Sequence, residues 1–165
     1  MSTSKQVPIQ AFLRRIEKDK DFFTYFHYDA EQAMQLAIQR AEGLLEDAIN
    51  RIIIECSPTV DFTDINPNTG EFNFDWTARE KILVPSLMFE YYLEKDIALL
   101  KIKEVNYTDT YLKVFDPSNA RTSFMDMYKD VKSRNEILLD IYKNTDRITG
   151  EYKTVDFDLY DAEDA

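Results

Sequence analysis

The stretch Ala30–Ile53, AEQAMQLAIQRAEGLLEDAINRII, decides the fold. Its apolar side chains at 30, 33, 34, 37, 38, 41, 44, 45, 48, 49, 52 and 53 recur at i, i+3, i+4 and i+7. That spacing is one face of an α-helix. The opposite face carries Gln32, Gln35, Gln39, Glu42, Glu46 and Asn50. Asp29 stands where an N-cap is needed, and Asp47 precedes Arg51 by four residues, the favourable order for a helical ion pair. A helix over about 30–55 follows, with an Ala-rich first half that lets a neighbouring helix approach closely. Ser57-Pro58 ends it.

Working outward, Ile9, Phe12, Leu13 and Ile16 predict a short helix within Pro8–Lys20. Five aromatics then fall in seven residues: Phe22, Phe23, Tyr25, Phe26 and Tyr28. Such a segment is too apolar for a free loop. It reads either as core or as an anchor for a partner, and both readings stand.

After the long helix, Thr59–Asp75 reads as a hairpin around Asn66-Pro67-Asn68-Thr69-Gly70, with Phe72 and Phe74 alternating against Asn73 and Asp75. Thr77-Ala78-Arg79-Glu80 is a capping box opening a second long helix, 77–103, with apolar positions Ile82, Val84, Leu87, Met88, Tyr91, Tyr92, Ile97 and Leu100. Pro85 removes one helical hydrogen bond and predicts a kink or split there. Val105–Phe115 reads equally as strand or irregular helix. Asp116-Pro117-Ser118-Asn119 signals a third helix, running to about Asn144, with Asp130 and Arg134 spaced as another ion pair. Thr145–Gly150 is a break.

The expected fold is therefore mainly α: a three- to four-helix bundle with one or two small β-hairpins and a C-terminal arm. Residues 1–145 form the helical domain, with the hairpin inserted at about 59–75, and 146–165 form the acidic arm. Glu151–Ala165 has six acids and one Lys, a net of −5, yet keeps Tyr152, Val155, Phe157, Leu159 and Tyr160. A purely solvating tail lacks such residues, so these five join the aromatic segment as candidate oligomer or partner contacts. Thr-Val-Asp-Phe occurs at 59–62 and again at 154–157, a match too short to mark a duplicated domain.

Composition narrows the function class. The chain has one His, one Cys and three Gly against 22 aromatics, and a net charge of −11. Most soluble catalysis uses His, Cys or glycine-rich phosphate loops, so no enzymatic activity and no cofactor are expected. His27, without a second His to complete a metal site, reads as a packed or capping residue. Cys56, beside Glu55, reads as a buried apolar side chain. Carboxylates are abundant, but none is marked by a flanking motif.

Asp64-x-Asn66-x-Asn68-x-Gly70 with Asp75 has the oxygen spacing of a calcium loop. Thr69 replaces the turn glycine, Pro67 interrupts, and Asp75 is shorter than the usual Glu. A plain hairpin turn, with no metal, is the expectation. The acidic balance opposes nucleic-acid affinity, since phosphate binding needs clustered Lys and Arg. No apolar run approaches the roughly 20 residues that span a bilayer. Met1–Leu13 lacks an apolar signal core, and a single Cys agrees with a reducing compartment.

Three elements together resemble the small helical head–tail connector, or head-completion adaptor, proteins of tailed bacteriophages. They are the Ala-rich helix Ala30-Glu31-Gln32-Ala33 through Ile49-Asn50-Arg51-Ile52, the Trp-led helix Trp76-Thr77-Ala78-Arg79-Glu80-Lys81-Ile82-Leu83 to Leu87-Met88-Phe89-Glu90-Tyr91-Tyr92, and a third helix with a polar C-terminal arm. The resemblance spans residues 30–145 and rests on pattern rather than on a signature.

It implies a virion neck protein, assembled in the host cytoplasm, that forms a homo-oligomeric ring under the portal. Its partners would be further copies of itself, the portal protein and tail or neck proteins. DNA would pass through the ring without specific binding, and no membrane is involved. A reading from a different class is a monomeric acidic regulatory module, a DNA mimic that binds a basic protein.

Overall fold

The computed structural model describes residues 2–106 and 117–154, with side chains given for 2–99 and 122–154. It is mainly helical, with one small antiparallel sheet. Strand β1 (Thr3–Ser4) is followed by helices α1 (Gln6–Arg15), α2 (Lys20–Phe23) and α3 (Ala30–Cys56). Strands β2 (Ile65–Asn66) and β3 (Glu71–Phe72) come next, then helices α4 (Ala78–Asn106) and α5 (Pro117–Asn144).

Helix α3 forms as its periodicity predicts, and its ends are chemically fixed. The Asp29 side chain accepts from the Gln32 amide at 2.8 Å, and the Gln32 side chain accepts from the Asp29 amide at 3.3 Å. This closed capping box satisfies two otherwise orphaned donors. At the other end Ser57 turns left-handed (φ 45°) and its amide bonds back to the Ile53 carbonyl. The face from Ala33 through Ala37, Ala41, Leu44, Ala48 and Ile52 is buried.

Helix α4 is the hub, packed against α1, α3 and α5. Every residue from Leu83 to Met88 is buried, so α4 has no single apolar stripe. Of the apolar positions expected from sequence, Val84, Leu87, Met88 and Tyr92 are buried. Ile82 is exposed, while Leu83 and Leu93 are core. The helix is continuous through Pro85, which does not split it. Helix α5 starts at Pro117, and Leu139 and Tyr142 bury against the core. Of the ambiguous stretch Val105–Phe115, residues 105 and 106 extend α4, and the rest lie outside the described residues.

The hairpin expected at 59–75 becomes a three-stranded sheet, ordered β1-β3-β2. Ile65 and Asn66 face Phe72 and Glu71, which face Thr3 and Ser4 on the other side. The turn closes at Gly70 (φ 66°), whose amide donates to the Asn66 carbonyl at 2.8 Å. Beneath the sheet, Phe62, Phe72 and Trp76 pack ring to ring, with Phe72 and Trp76 centroids 4.8 Å apart. Thr3 ties β1 to this cluster by accepting the Trp76 amide at 2.9 Å.

The long helices are cross-linked by a buried polar network. Asn135 of α5 donates to Glu90 (2.8 Å) and to the Ser86 carbonyl (3.0 Å), and accepts from the Ser86 hydroxyl (2.6 Å). Arg51 of α3 completes the set, 2.9 Å from Glu90 and 2.8 Å from Glu55. The Asp47–Arg51 pair read from sequence is therefore not the one made. Arg51 turns inward, where two carboxylates meet it, and Asp47 pairs with Lys95 at 3.2 Å. Asp130 and Arg134 likewise form no ion pair among the described residues.

The two ion pairs of α3 predict opposite results. Arg51→Met leaves the buried Glu90 short of its counter-charge and should cost about 3–5 kcal/mol in urea unfolding. Lys95→Met breaks an exposed pair and should cost less than about 1 kcal/mol.

Candidate functional site

The aromatic segment divides sharply. Phe22 is core: its ring lies 5.9 Å from Phe12 and 5.8 Å from Tyr92, edge to face, with the Arg40 guanidinium 4.3 Å above it. Phe23 is half-buried against Phe22. Tyr25 is held from the side by Arg40, whose Nη1 donates to its hydroxyl at 3.1 Å. The chain then turns outward. The Tyr28 amide bonds to the Tyr25 carbonyl, and His27 adopts the left-handed conformation (φ 68°).

Phe26 is left 88% exposed and Tyr28 55% exposed at the tip. His27 is exposed beside the Phe26 ring, not packed or capping as its setting suggested, because the left-handed turn carries it away from the core. Just beyond, the Asp29 capping box fixes where the turn meets α3. The result is an aromatic knob on a root fixed at both ends.

The second set of candidate contacts lies beyond α5. Tyr152 forms an isolated antiparallel bridge with Thr145 and its side chain is exposed. Val155, Phe157, Leu159 and Tyr160 lie outside the described residues. The segment between, 146–154, does not stand off from the helical domain. Asp146 nucleates its turn by accepting the Ile148 and Thr149 amides at 2.8 and 2.7 Å, bonds that hold its carboxyl below the ordinary range. Arg147 reaches back to α4, placing Nε 2.7 Å and Nη2 3.0 Å from the Glu80 carboxylate and also donating to the Asp75 carbonyl.

Glu80 is completely buried. Besides Arg147 it accepts from the Tyr142 hydroxyl (2.7 Å) and from the Thr77 amide (2.7 Å), while the Thr77 hydroxyl accepts the Glu80 amide (3.3 Å). Burial, reinforced by the bond to Glu80, pushes the Tyr142 phenol far above its usual range. Burial alone would lower the Arg147 pKa, but the Glu80 carboxylate outweighs it and raises it. Arg79 adds two bonds, to Thr145 Oγ1 at 2.7 Å and to the Gly150 carbonyl at 3.3 Å. Gly150 is left-handed (φ 76°), and a β-carbon there would lie 2.8 Å from Arg79 Nη2. The arm thus begins from a clamp on the N-terminus of α4.

Each Glu80 oxygen and each Glu90 oxygen accepts a hydrogen bond from within the protein. The Cys56 thiol is buried, which pushes its pKa up, and neighbouring Glu55 adds to the effect. In the calcium-like loop, Asp64 accepts from the Asn73 side chain at 2.6 Å and Asn66 from the Asn68 amide at 2.9 Å. Those oxygens are used by the turn itself. Among the described residues no group of three His, Cys, Asp or Glu side chains is arranged to hold a metal ion. No helix among them is long and apolar enough to cross a membrane.

Comparison with protein-family models, with curated proteins and with solved structures returns no match to this chain.

Removing the clamp should be costly. Arg147→Met strands a buried carboxylate and should lose about 3–5 kcal/mol in urea unfolding. Gly150→Ala, strained at positive φ and against Arg79, should lose about 1–3 kcal/mol. Acid should loosen the turn separately. Because the folded Asp146 pKa lies below its ordinary value of 3.8, its contribution is complete above that value and is lost as pH falls through the folded pKa. Amide shifts of Ile148 and Thr149 should report this acid transition, and Asp146→Asn should flatten it.

Proposed function

We propose that this chain is a non-enzymatic virion structural protein, a head–tail connector that assembles as a ring beneath a phage portal and continues the DNA tunnel toward the tail. The observation that carries this reading is how the two aromatic contact elements are presented. Phe26 and Tyr28 stand on a turn pinned by Arg40 and the Asp29 cap, and Tyr152 stands beside a clamp made by Arg147 and Glu80. A body with internally locked helices and outward aromatic groups on fixed roots suits repeated side-by-side contact better than catalysis. Aromatic groups are the usual anchors of such interfaces, and prior fixation lowers the entropy lost on docking.

The acidic balance supports the same reading. Negative surfaces repeated around a ring repel the DNA backbone and let it slide. Many carboxylates serve as internal acceptors, among them Asp19, Asp29, Asp61, Asp64, Glu80 and Glu90. The pinned aromatic turn favours the connector reading over the inhibitor, since a DNA mimic has no need of it.

Negative-stain imaging and mass measurement of the chain with phage portal rings should show an added ring of density on the portal. A particle that stays monomeric and binds no portal or neck protein overturns the reading.

A further inference from the structure

The chain has three glycines, and two of them are explained by their backbone. Gly70 and Gly150 both sit at positive φ. Gly43 does not. It lies in the interior of α3, where glycine is the poorest helix former after proline. A β-carbon there would meet no atom within 4 Å, so nothing in the chain's own packing requires its absence. Gly43 instead floors a cavity of about 240 Å³ between α3 and α4, rimmed by Gln39, Arg40, Tyr92, Lys95 and Asp96. The missing side chain leaves room for something outside the chain.

We propose that this notch is the seat for the Phe26 turn of a second copy of the chain. Phe26 is the most exposed large apolar side chain described, and its turn is already fixed. The turn is flanked in sequence by Asp21, Asp29 and Glu31, all exposed. The rim offers the cations of Arg40 and Lys95. Lys95 is shared with Asp47, but Arg40 meets only the Phe22 and Tyr25 rings and the Tyr25 hydroxyl, and no carboxylate among the described residues. An acid-flanked knob and a rim with an unneutralised guanidinium are complementary, although Asp47 and Asp96 temper the rim.

The knob's root adjoins the notch: Phe22 lines it, and Arg40 both rims it and holds the Tyr25 hydroxyl. Each copy offers one knob and one notch, so copies join head-to-tail into a ring where the rotation allows. The connector reading enters only in taking the occupant to be a second copy.

Sedimentation velocity of the full chain, from low to high micromolar concentration, tests this. The wild-type chain should self-associate, more weakly at high salt. Gly43→Leu and Phe26→Ala should each weaken association at least ~10-fold. Mixed together, they should form a heterodimer that grows no further, because only one knob and one notch remain. Gly43→Ala should raise the Tm by about 2–4 °C, confirming that the fold does not need the glycine.

A photo-cross-linker at position 26 should capture the peptide 41–51 of another copy. Assembly of Gly43→Leu as tightly as wild type overturns the notch and leaves the connector reading intact. A wild-type chain that stays monomeric also overturns the notch, and the portal experiment then judges the connector reading alone. Loss of portal binding in Gly43→Leu without any self-association gives the notch a different occupant and overturns the proposal.

Discussion

A single carboxylate without access to water organises this molecule. Glu80 begins as a local device, the acidic end of a capping box at the start of α4. A capping box needs one carboxylate oxygen. The other oxygen, and the charge, would remain uncompensated in a buried site, where an unpaired ion costs several kcal/mol. Arg147 and Tyr142 supply what is missing. One side chain therefore fixes the start of α4, the last turn of α5 and the return of the chain after it. Replacing such a cluster with apolar residues can be neutral in stability. What it enforces is pairing: removing Arg147 alone would leave the Glu80 charge buried and uncompensated.

Glu90 repeats the logic nearly three turns further along α4, with Arg51 from α3 and Asn135 from α5. Between them the two sites set the register of all three long helices. Apolar contacts alone would fix it less firmly, because Leu83, Val84, Leu87 and Met88 make α4 apolar in several directions and tolerate small slides. The surface inherits this precision. Phe26 and Tyr152 are exposed, but each is a short step from a hydrogen-bonded anchor.

Much of this was readable from residues close in sequence. Helix α3, its Asp29 cap, the Thr77–Glu80 box, the Gly70 turn and the Pro117 start all depend on neighbours within a few positions. What was not readable depends on distance along the chain. Arg147 lies 67 residues from Glu80, and no spacing announces their meeting. Strand β1 is two residues long and exists because Trp76 and Phe72 offer it partners. Helix α4, enclosed by several neighbours, carries no one-sided stripe for a sequence pattern to mark. The aromatic segment could not be divided into core and surface because the division turns on the left-handed conformation of His27, which is uncommon outside glycine. Gly43 was visible as a glycine inside a helical pattern. Its meaning required knowing that the space above it is empty.

The charge of −11 also takes on a narrower meaning. Read as a sum, it suggests an evenly negative particle. In the fold, two groups of acids are tied down by their neighbours. Glu80 and Glu90 are buried and neutralised by arginines. Asp19, Asp29, Asp61 and Asp146 close caps and turns by accepting backbone amides. The cations divide unequally too. Arg51, Arg79 and Arg147 are committed to internal bonds, while Arg40 stays at the surface beside aromatic rings. Arg40 meets aromatic rings and no carboxylate among the described residues.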